Sequence, residues 1–318
     1  MLDNLIFSLN ATMPIFVIMV IGYIAKKIGF IAEENIIQAL NKIVFRLFLP
    51  VLIFKDLANQ DFQEIWDGSF VGYCFLVTLV SIGIAFLFSL LCKDKTDRGE
   101  IIQASYRSAA ATLGIAFMSN IYNNVAMVAL MIIGSVPLYN TAAVIILALT
   151  SPNESNNQSK KDLIISTIKK VITNPIIIGV IVGTLWALLK IPQPTIMAKT
   201  INSLASVASP LALIALGASF EFSDLKEKLG PICLVIFNKL FLFCILFLPV
   251  AITMGFRNEK LVAILIMLGS ATTSSSYIMA KNMGHKGIIS SSAVMITTLL
   301  ASFSLTFWLF LLRNLSFI

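Results

Sequence analysis

The chain contains 318 residues, of which 58% are hydrophobic and 12% are charged, and its formal net charge is +7. Soluble domains contain about 45–50% apolar and about 25% charged residues, so this composition excludes a soluble globular protein and indicates a polytopic membrane protein. A single histidine and four cysteines without a CxxC pair argue against a metal site, a disulfide framework or a resident cofactor.

Ten apolar segments are predicted to be membrane-spanning helices, because a span needs about 20 mostly apolar residues. They cover residues 5–25, 36–58, 69–92, 102–119, 123–149, 163–189, 199–221, 230–255, 259–281 and 287–313. The fourth and ninth segments are diluted by Ser, Thr, Ala and Gly, unlike the others. The predicted fold class is therefore an all-α polytopic membrane protein with ten transmembrane helices.

The two halves of the chain resemble each other. PIFVIMVIG in the first predicted helix begins at Pro14, and PIIIGVIVG in the sixth begins at Pro175. Pro50 of LPVLIF follows 36 residues after Pro14, and Pro210 of SPLALI follows 35 residues after Pro175. Five helices per half is an odd number, so the two copies have opposite topology, which is typical of secondary transporters.

This pattern divides the chain into two predicted repeats. The first five-helix repeat covers residues 1–150, a cytoplasmic linker covers 151–162, and the second, inverted repeat covers 163–318. The linker, SPNESNNQSKKD, is the longest polar insert and falls at the midpoint.

Basic residues are unevenly distributed between the two sets of loops. With an outside N-terminus, the inner loops and adjoining helix ends hold fourteen cations: Lys26, Lys27, Lys93, Lys95, Arg98, Arg107, Lys160, Lys161, Lys169, Lys170, Lys226, Lys228, Lys281 and Lys286. The outer set holds six: Lys55, Lys190, Lys199, Arg257, Lys260 and Arg313. Because cytoplasmic loops carry the excess, the chain is predicted to lie in the cell membrane with both termini outside.

The fourth and ninth predicted helices are the candidate substrate site. ASYRSAAATLGIAFMSN (104–120) and GSATTSSSYIMAKNMG (269–284) occupy equivalent places in the two repeats, and Gly114 and Gly269 are positions where each helix could open. Opened half-helices expose amide groups that attract anions. The alternative interpretation is close helix packing, with each hydroxyl bonded to its own i−4 carbonyl.

The candidate substrate-binding residues are therefore mostly small or hydroxyl-bearing. They are Ser108, Ala109, Thr112, Gly114, Ala116, Asn140, Gly269, Ala271, Thr272, Thr273, Ser274, Ser275, Ser276 and Arg46.

Charged residues within apolar segments constrain the chemistry further. Arg46 precedes Pro50 within an apolar segment, and Lys239 lies inside VIFNKLFLF; either cation could help to hold an anion, or could extend towards an interface. All sixteen carboxylates can be placed in loops or at helix ends, none at a bilayer centre. This distribution disfavours a carboxylate proton relay and leaves sodium coupling or facilitated diffusion open.

Four stretches resemble the auxin efflux carrier family, within the bile, arsenite and riboflavin transporter-like superfamily. They are NKIVFRLFLPVLIF (41–54), TNPIIIGVIVG (173–183), ASPLALIALGASF (208–220) and SYIMAKNMGHKGIISSSAVMITTLLASFSLTFWLFLL (276–312). The family contains plant auxin exporters and bacterial permeases proposed for malate or malonate. The resemblance implies that helices 4 and 9 cross at the bilayer midplane around the substrate, which moves by an elevator-like mechanism.

The resemblance also implies that the helices form two domains with different roles. Residues 5–58 and 163–221 would form a scaffold, and residues 69–149 and 230–313 would form the transport domain.

This chain departs from the family pattern at the implied crossing. Where the family has R-S-N-T-G-x-x-G-x-P, Ala109 replaces the asparagine and Ala116 the proline, and Ala271 replaces the proline of the ninth helix. Each lost proline restores a backbone amide donor, so these changes predict more continuous helices than in the family. The hydroxyl run is expected to supply the polar contacts that the alanines do not.

The predicted function is secondary transport of a small organic anion, a carboxylate by resemblance, with a neutral amphipathic solute left open. The alternative is a non-transporting homologue that acts as a membrane sensor or partner subunit. An intramembrane enzyme is not expected, because no nucleophile with an adjacent base is recognisable. The expected partners are the substrate, a coupling ion, membrane lipid and a second copy in a homodimer, without nucleic acid.

Overall fold

The fold was obtained as a computed structural model, which describes residues 2–31, 33–58, 66–110, 118, 121–122, 126–151, 173–220 and 228–318. Within these ranges the chain is helical and contains no strand longer than a single bridge. An all-helical chain is therefore confirmed.

The helices are numbered here in chain order. The first half contains α1 (Leu2–Lys27), α2 (Glu34–Ile43), α3 (Leu49–Ala58), α4 (Gly68–Ser89), α5 (Arg98–Tyr106) and α6 (Ala126–Leu149). The second half contains α7 (Pro175–Leu188), α8 (Thr195–Ser219), α9 (Leu229–Phe237), α10 (Phe243–Thr253), α11 (Asn258–Gly269), α12 (Ser275–Asn282) and α13 (Ile288–Asn314).

Six helical stretches among the described residues are long and apolar enough to cross a membrane. They are Asn35–Ala58, Gly68–Ser89, Leu130–Leu149, Thr195–Ser219, Leu229–Thr253 and Ile288–Asn314. Each coincides with a predicted span, and α7 adds a shorter apolar helix. Several membrane spans are thus established by length and composition, whereas the number ten stays a prediction.

Two of these spans contain a short π-helical turn with a cation inside it. Val44–Phe48 joins α2 to α3 and contains Arg46, and Asn238–Leu242 joins α9 to α10 and contains Lys239. A π-helical turn widens the helix and shifts the register of the following side chains, and such turns are frequent at functional sites. Both cations singled out in the sequence therefore lie where the helix is locally distorted.

Glycines allow two pairs of helices to approach closely. A Cβ added at Gly22 of α1 or Gly217 of α8 would collide with the backbone of the opposite helix of that pair. Gly179 and Gly183 of α7 lie in the same way against the backbone of α3, where Pro50 is the nearest neighbour of Gly179. In the numbering of the ten predicted spans, the first span thus packs on the seventh, and the second span packs on the sixth.

Ionic contacts fix the segment in front of α5. Lys228 lies 2.7 Å from Asp97 and 3.1 Å from Asp94, so the start of α9 is tied to the turn that precedes α5. Hydrogen bonds from Thr96 and from Lys228 lower the pKa of Asp94 to about 2.

A buried carboxylate joins α5 to α13. Glu100 accepts hydrogen bonds from the backbone amides of Gly287 (2.7 Å) and Ser290 (2.9 Å) at the first turn of α13. A carboxylate at a helix N-terminus satisfies free amides and complements the helix dipole. The beginning of α5 is therefore held in a fixed position relative to the last helix.

The fourth and ninth predicted helices are both interrupted. After α5 the chain is extended at Arg107 and helical again at Ala110, and α11 is separated from α12 by residues 270–274.

In the ninth helix the interruption occurs at Ala271 although the family's proline is absent there, contrary to the expectation of a more continuous helix. Ala116, the corresponding position of the fourth helix, lies outside the described residues. Backbone groups at the interruption of the ninth helix bond instead to Ala109, to Thr297 of α13 and to Lys239, so this helix opens without a proline.

The two interruptions contact each other directly. Ser108 and Thr272 form an isolated antiparallel bridge, and the amide of Ala109 donates to the carbonyl of Ala271 at 2.9 Å. Gly269 is the last residue of α11, as expected for an opening point. Gly114 lies outside the described residues, and the interruption that the structure describes in the fourth helix lies earlier, around Ser108.

Candidate functional site

A polar cavity lies beside the two interruptions. It has a volume of about 80 Å³ and is lined by Leu49, Leu52, Ile53, Asp56, Arg107, Ser108, Ala109, Val136, Tyr139, Asn140, Ser209, Thr273, Ser274 and Ser275. We call it the helix-break cavity. Its walls come from α3 and α8 on one side and from α5, α6 and the α11–α12 connection on the other.

Arg107 is the charged group that dominates this cavity. Only 2% of the side chain is exposed, and its Nη2 donates to Ser275 Oγ at 2.8 Å and to Asn140 Oδ1 at 3.0 Å. Its Nη1 donates to Gln103 Oε1 at 3.2 Å and contacts the sulfur of Met279 at 2.9 Å. The hydrogen-bond partners found for this guanidinium are all neutral.

The count of basic residues grouped Arg107 with the cations of the inner loops and adjoining helix ends, and the side of the membrane stays a prediction. The residue directly follows the last residue of α5. In the structure it lies at an interrupted helix and is fully enclosed by neighbouring helices. The sequence did contain a signal for a functional role, because Arg107 lies within a predicted helix whose composition indicates an interruption.

Lys239 is a second buried cation on the other side of the interruptions. Its side chain is 0% exposed, and its ammonium donates to the hydroxyl of Ser108 and, at 3.0 Å, to the carbonyl of Leu268. Ser108 in turn donates to the carbonyl of Met267. Lys239 therefore gives a hydrogen-bond donor to a carbonyl at the end of α11 and links it to Ser108 of the other interrupted helix.

The hydroxyl run makes contacts to the other interrupted helix as well as a contact within the run. Thr272 Oγ1 donates to the carbonyl of Ala104 at 2.9 Å, and Thr273 Oγ1 lies 3.2 Å from Ser275 Oγ. Bonding to an i−4 carbonyl, the alternative considered from the sequence, does not describe Thr272 or Ser108. Thr273 and Ser274 are half-buried and face the cavity, which makes them available to a bound molecule.

The remaining candidates divide into three groups. Ser108, Ala109, Asn140, Thr273, Ser274 and Ser275 line the helix-break cavity. Gly269, Ala271, Thr272 and Ser276 lie in or beside the α11–α12 interruption without lining the cavity. Thr112, Gly114 and Ala116 lie outside the described residues.

Asp56 is a lining residue that sequence analysis did not expect. It was assigned to a helix end, and it does lie two residues before the end of α3, but it faces the same cavity as Arg107. Residues 49, 52, 53 and 56 share one face of that helix by their spacing, and all four line the cavity. The sequence shows this spacing but not which neighbouring helix the face contacts.

Arg46 is not part of the helix-break cavity, contrary to the expectation that it shares one site with the hydroxyl run. It lines a separate cavity of about 430 Å³ with Lys42, Lys281 and His285, and an adjoining one of about 910 Å³ that extends to Asn174. We call the two together the basic cavity. Its described lining contains cations and amides but no carboxylate.

No cluster of three or more His, Cys, Asp or Glu side chains suited to a metal ion is found in the described part of the chain. The four cysteines are all free thiols, with Cys74 and Cys244 buried and Cys233 exposed. The polar groups that line the helix-break cavity are a guanidinium, hydroxyls, an amide and the single carboxyl group of Asp56, which suit an anion or a hydrogen-bonding solute.

The comparisons with known proteins cover most of the chain, and the matching proteins are described as transporters. The family model described as "Membrane transport protein" matches residues 7–309. A protein of Rhizobium meliloti (strain 1021), provisionally named a malonate transporter, is 23% identical over 95% of this chain and 95% of its own length. An uncharacterized transporter of Methanothermobacter thermautotrophicus is 24% identical over 95% of this chain and 97% of its own length.

A third relative covers less of the sequence. The uncharacterized transporter YfdV of Escherichia coli (strain K12) is 24% identical over 248 residues, which is 73% of this chain and 78% of that protein.

Proposed function

The chain belongs to the membrane transport protein family, which is the auxin efflux carrier family that the sequence resembles, and on that premise we propose that it is a secondary transporter for a small carboxylate anion. The anion would bind in the helix-break cavity against Arg107. The observation that carries this proposal is a fully buried arginine whose hydrogen bonds go to neutral groups.

A buried charge is costly unless an opposite charge or a dense set of hydrogen bonds compensates it. Arg107 has hydrogen bonds to Ser275, Asn140 and Gln103, which hold the guanidinium in one orientation. A carboxylate is the group whose geometry matches a guanidinium, because two parallel N–H groups bind its two oxygens. A bound carboxylate would therefore compensate the charge that the protein fixes in place.

The hydroxyls beside Arg107 favour a small, polar anion. Thr273 and Ser274 face the cavity and can donate hydrogen bonds to carboxylate oxygens. A cavity of about 80 Å³ has room for only a few non-hydrogen atoms. The relative with a provisional malonate assignment makes short dicarboxylates the first candidates to test.

The packing supports the proposed inverted repeats. A twofold axis that exchanges the first span with the sixth and the second with the seventh converts the α1–α8 contact into the α3–α7 contact, and both contacts are made through glycines. The same operation exchanges the two interrupted helices, which meet at the bridge between Ser108 and Thr272. In this proposal the interruptions cross near the bilayer midplane.

An elevator-like movement fits the two-sided lining of the cavity. Leu49, Asp56 and Ser209 belong to the proposed scaffold, and Arg107 and Ser275 belong to the proposed transport domain. A shift of one domain along the other would carry the anion with Arg107 while changing the wall opposite to it. Alternating access would then follow from movement between domains, without unfolding of either interruption.

In the proposed orientation with outside termini, the basic cavity opens to the cytoplasm. Its lining comes from the beginning of the second span, the end of α6, the beginning of α7 and the end of α12, which all lie at one end of the bundle. Cations around an open cavity raise the local concentration of anions. Arg46 would therefore attract the substrate rather than bind it in its transported position.

The proposal is tested by uptake of radiolabelled mono- and dicarboxylates, malonate first, into proteoliposomes that contain the purified protein. We expect saturable uptake of at least one short carboxylate, inhibited by its unlabelled form and strongly reduced by Arg107→Gln at an unchanged melting temperature. No uptake and no counterflow across the panel would overturn the proposal. That result would favour a non-transporting homologue, to which the alanine at the family's asparagine position, Ala109, also points.

A further inference from the structure

The helix-break cavity contains a carboxylate as well as an arginine. Asp56 is the acidic residue among the described lining residues, and it belongs to α3, whereas Arg107 lies across the cavity at the end of α5. The sequence offers no reason to keep an acid there for packing, because the neighbouring lining residues of α3 are Leu49, Leu52 and Ile53. Its position is therefore best explained by the charge of the site.

The other titratable groups around Asp56 come from several elements. Arg107 and Tyr139 of α6 line the same cavity, and Lys239 lies behind Ser108 on the far side of the interruption. On its own helix Asp56 follows Lys55, while Arg46 lies ten residues earlier in the basic cavity. Of the two helices packed on α3, α7 contains no titratable residue, and the one in α8, Lys199, lies near its beginning.

The charges in the cavity change when an anion binds. Before binding, the described lining of the cavity contains one cationic side chain, Arg107, and one carboxyl side chain, Asp56, which belong to different walls. A carboxylate bound to Arg107 would share that space with the Asp56 carboxylate, and two carboxylates confined in one site favour retention of a proton between them. Anion binding and protonation of Asp56 would then strengthen each other by the same factor, because such coupling is reciprocal.

We propose that Asp56 is the proton-binding residue that couples transport of the anion to symport of one proton. The Asp56 carboxylate accepts a proton from water on the side where the anion enters and passes it to the bound anion. The protonated anion moves with Arg107, and its proton returns to water on the side where the anion leaves. This inference rests on the proposed function of the helix-break cavity. It replaces the expectation of sodium coupling, which depended on the absence of a carboxylate near the site.

The experiment compares gradient-driven accumulation with exchange in the same proteoliposomes, at zero membrane potential and with malonate as the probe. In the wild-type protein, an outside medium about one pH unit more acidic than the lumen should drive up to about tenfold accumulation of an anion that moves with one proton. Asp56→Asn should lose this accumulation, and the malonate counterflow that remains should no longer depend on pH, since a permanently neutral side chain cannot pass a proton to the bound anion. Glu33→Gln, at an exposed carboxylate outside both cavities, is the matched control and should behave as wild type.

The outcomes separate this inference from the proposed function. Accumulation by Asp56→Asn equal to that of the wild type, or wild-type accumulation that follows sodium and ignores pH, would overturn the role of Asp56 while leaving transport intact. Absence of both uptake and counterflow in the wild type would instead refute the proposed function itself.

A second measurement keeps the inference testable if Asp56→Asn fails to fold. A pH-sensitive dye trapped in wild-type proteoliposomes should report acidification of the lumen when malonate is added outside, without an imposed gradient. Addition of an equal concentration of chloride should give no such signal. Malonate uptake without acidification would overturn the proposal.

Discussion

The two helix interruptions and the basic cavity both contain cations, but they hold them in opposite ways. Arg107 and Lys239 are fully buried and fixed by hydrogen bonds to neutral groups, whereas Lys42 and Arg46 are exposed along the wall of an open cavity. A buried, oriented cation discriminates between ligands, because a misfitting ligand leaves it desolvated without compensation. An exposed cation attracts any anion, and salt screens it.

This difference predicts that variants of the residues around the helix-break cavity change the binding and the turnover of the anion. Variants of the basic cavity should change only the rate at which the anion reaches its binding site. Arg107→Gln should have the largest effect. Truncating one partner of a buried charged hydrogen bond costs about 2–5 kcal/mol, so kcat/KM for uptake should fall by about 30-fold to several thousand-fold.

Arg107→Lys tests whether geometry matters as well as charge. It keeps the positive charge but not the planar fork, and it should recover only part of the activity. Both variants are assayed by initial uptake rates together with the melting temperature. Full activity in Arg107→Gln would show that the buried arginine does not bind the transported anion.

Lys239→Met should separate stability from transport. Methionine has a similar length and no charge, and replacement of a buried ion by a well-packed apolar residue is often neutral or stabilising. We therefore expect a melting temperature equal to or above that of the wild type. Transport should fall by about tenfold, because the hydrogen bonds to Ser108 and to the carbonyl of Leu268 that hold the interruption are lost.

The reverse result for Lys239→Met would be equally informative. Unchanged uptake with a strongly lowered melting temperature would make this lysine a purely structural residue of α9 and α10.

Ser275→Ala should have a moderate effect. The variant removes one hydrogen-bond partner of Arg107, and a hydrogen bond to a charged group contributes about 1.5–3 kcal/mol. KM for the anion should rise by about tenfold or more. Ser304→Ala, which removes a buried hydroxyl of α13 far from the cavity lining, is the control and should leave KM unchanged. Equal effects of the two variants would indicate general destabilisation.

Arg46→Gln should have the smallest effect and the strongest dependence on salt. KM should rise by only a few-fold at low ionic strength, with kcat unchanged, and the difference from wild type should disappear near 1 M salt, where the Debye length is about 3 Å. Measurement of uptake at several salt concentrations checks this. An effect of Arg46→Gln that persists at high salt would place the arginine in direct contact with the transported anion.

The sequence predicted the helical class and the two unusual helices because both depend on local composition. A run such as TTSSS within an apolar segment needs partners in any membrane fold, and the structure provides them across the two interruptions. The openings were harder to predict, because the family's prolines are absent here. Hydrogen bonds between distant residues, such as the one from the Ala109 amide to the Ala271 carbonyl, replace the regular hydrogen bonds of the helix. A single sequence does not show such long-range contacts.

The charged residues of the site were the least predictable part. The count of basic residues grouped Arg107 with the inner loops and adjoining helix ends, because a single sequence does not show that neighbouring helices enclose this side chain. Asp56 was overlooked since the side of α3 that meets the cavity is decided by the packing of α7 and α8 around it. Arg46 was grouped with the hydroxyl run although it lines the basic cavity, because one face of the second span lines both cavities along its length.

The most direct test of the central claim is whether an anion protects the helix-break cavity from a thiol reagent. Thr273→Cys, in a background with Cys92→Ser and Cys233→Ser, places a thiol on the half-buried wall of the cavity, and Ser316→Cys at the exposed C-terminal end serves as the control. We predict that malonate, or the carboxylate found in the uptake screen, slows modification of Cys at position 273 and not at 316. Protection should be lost when Arg107→Gln is added. Modification at the same rate with and without the anion, or protection that survives Arg107→Gln, would contradict an anion site built on that arginine.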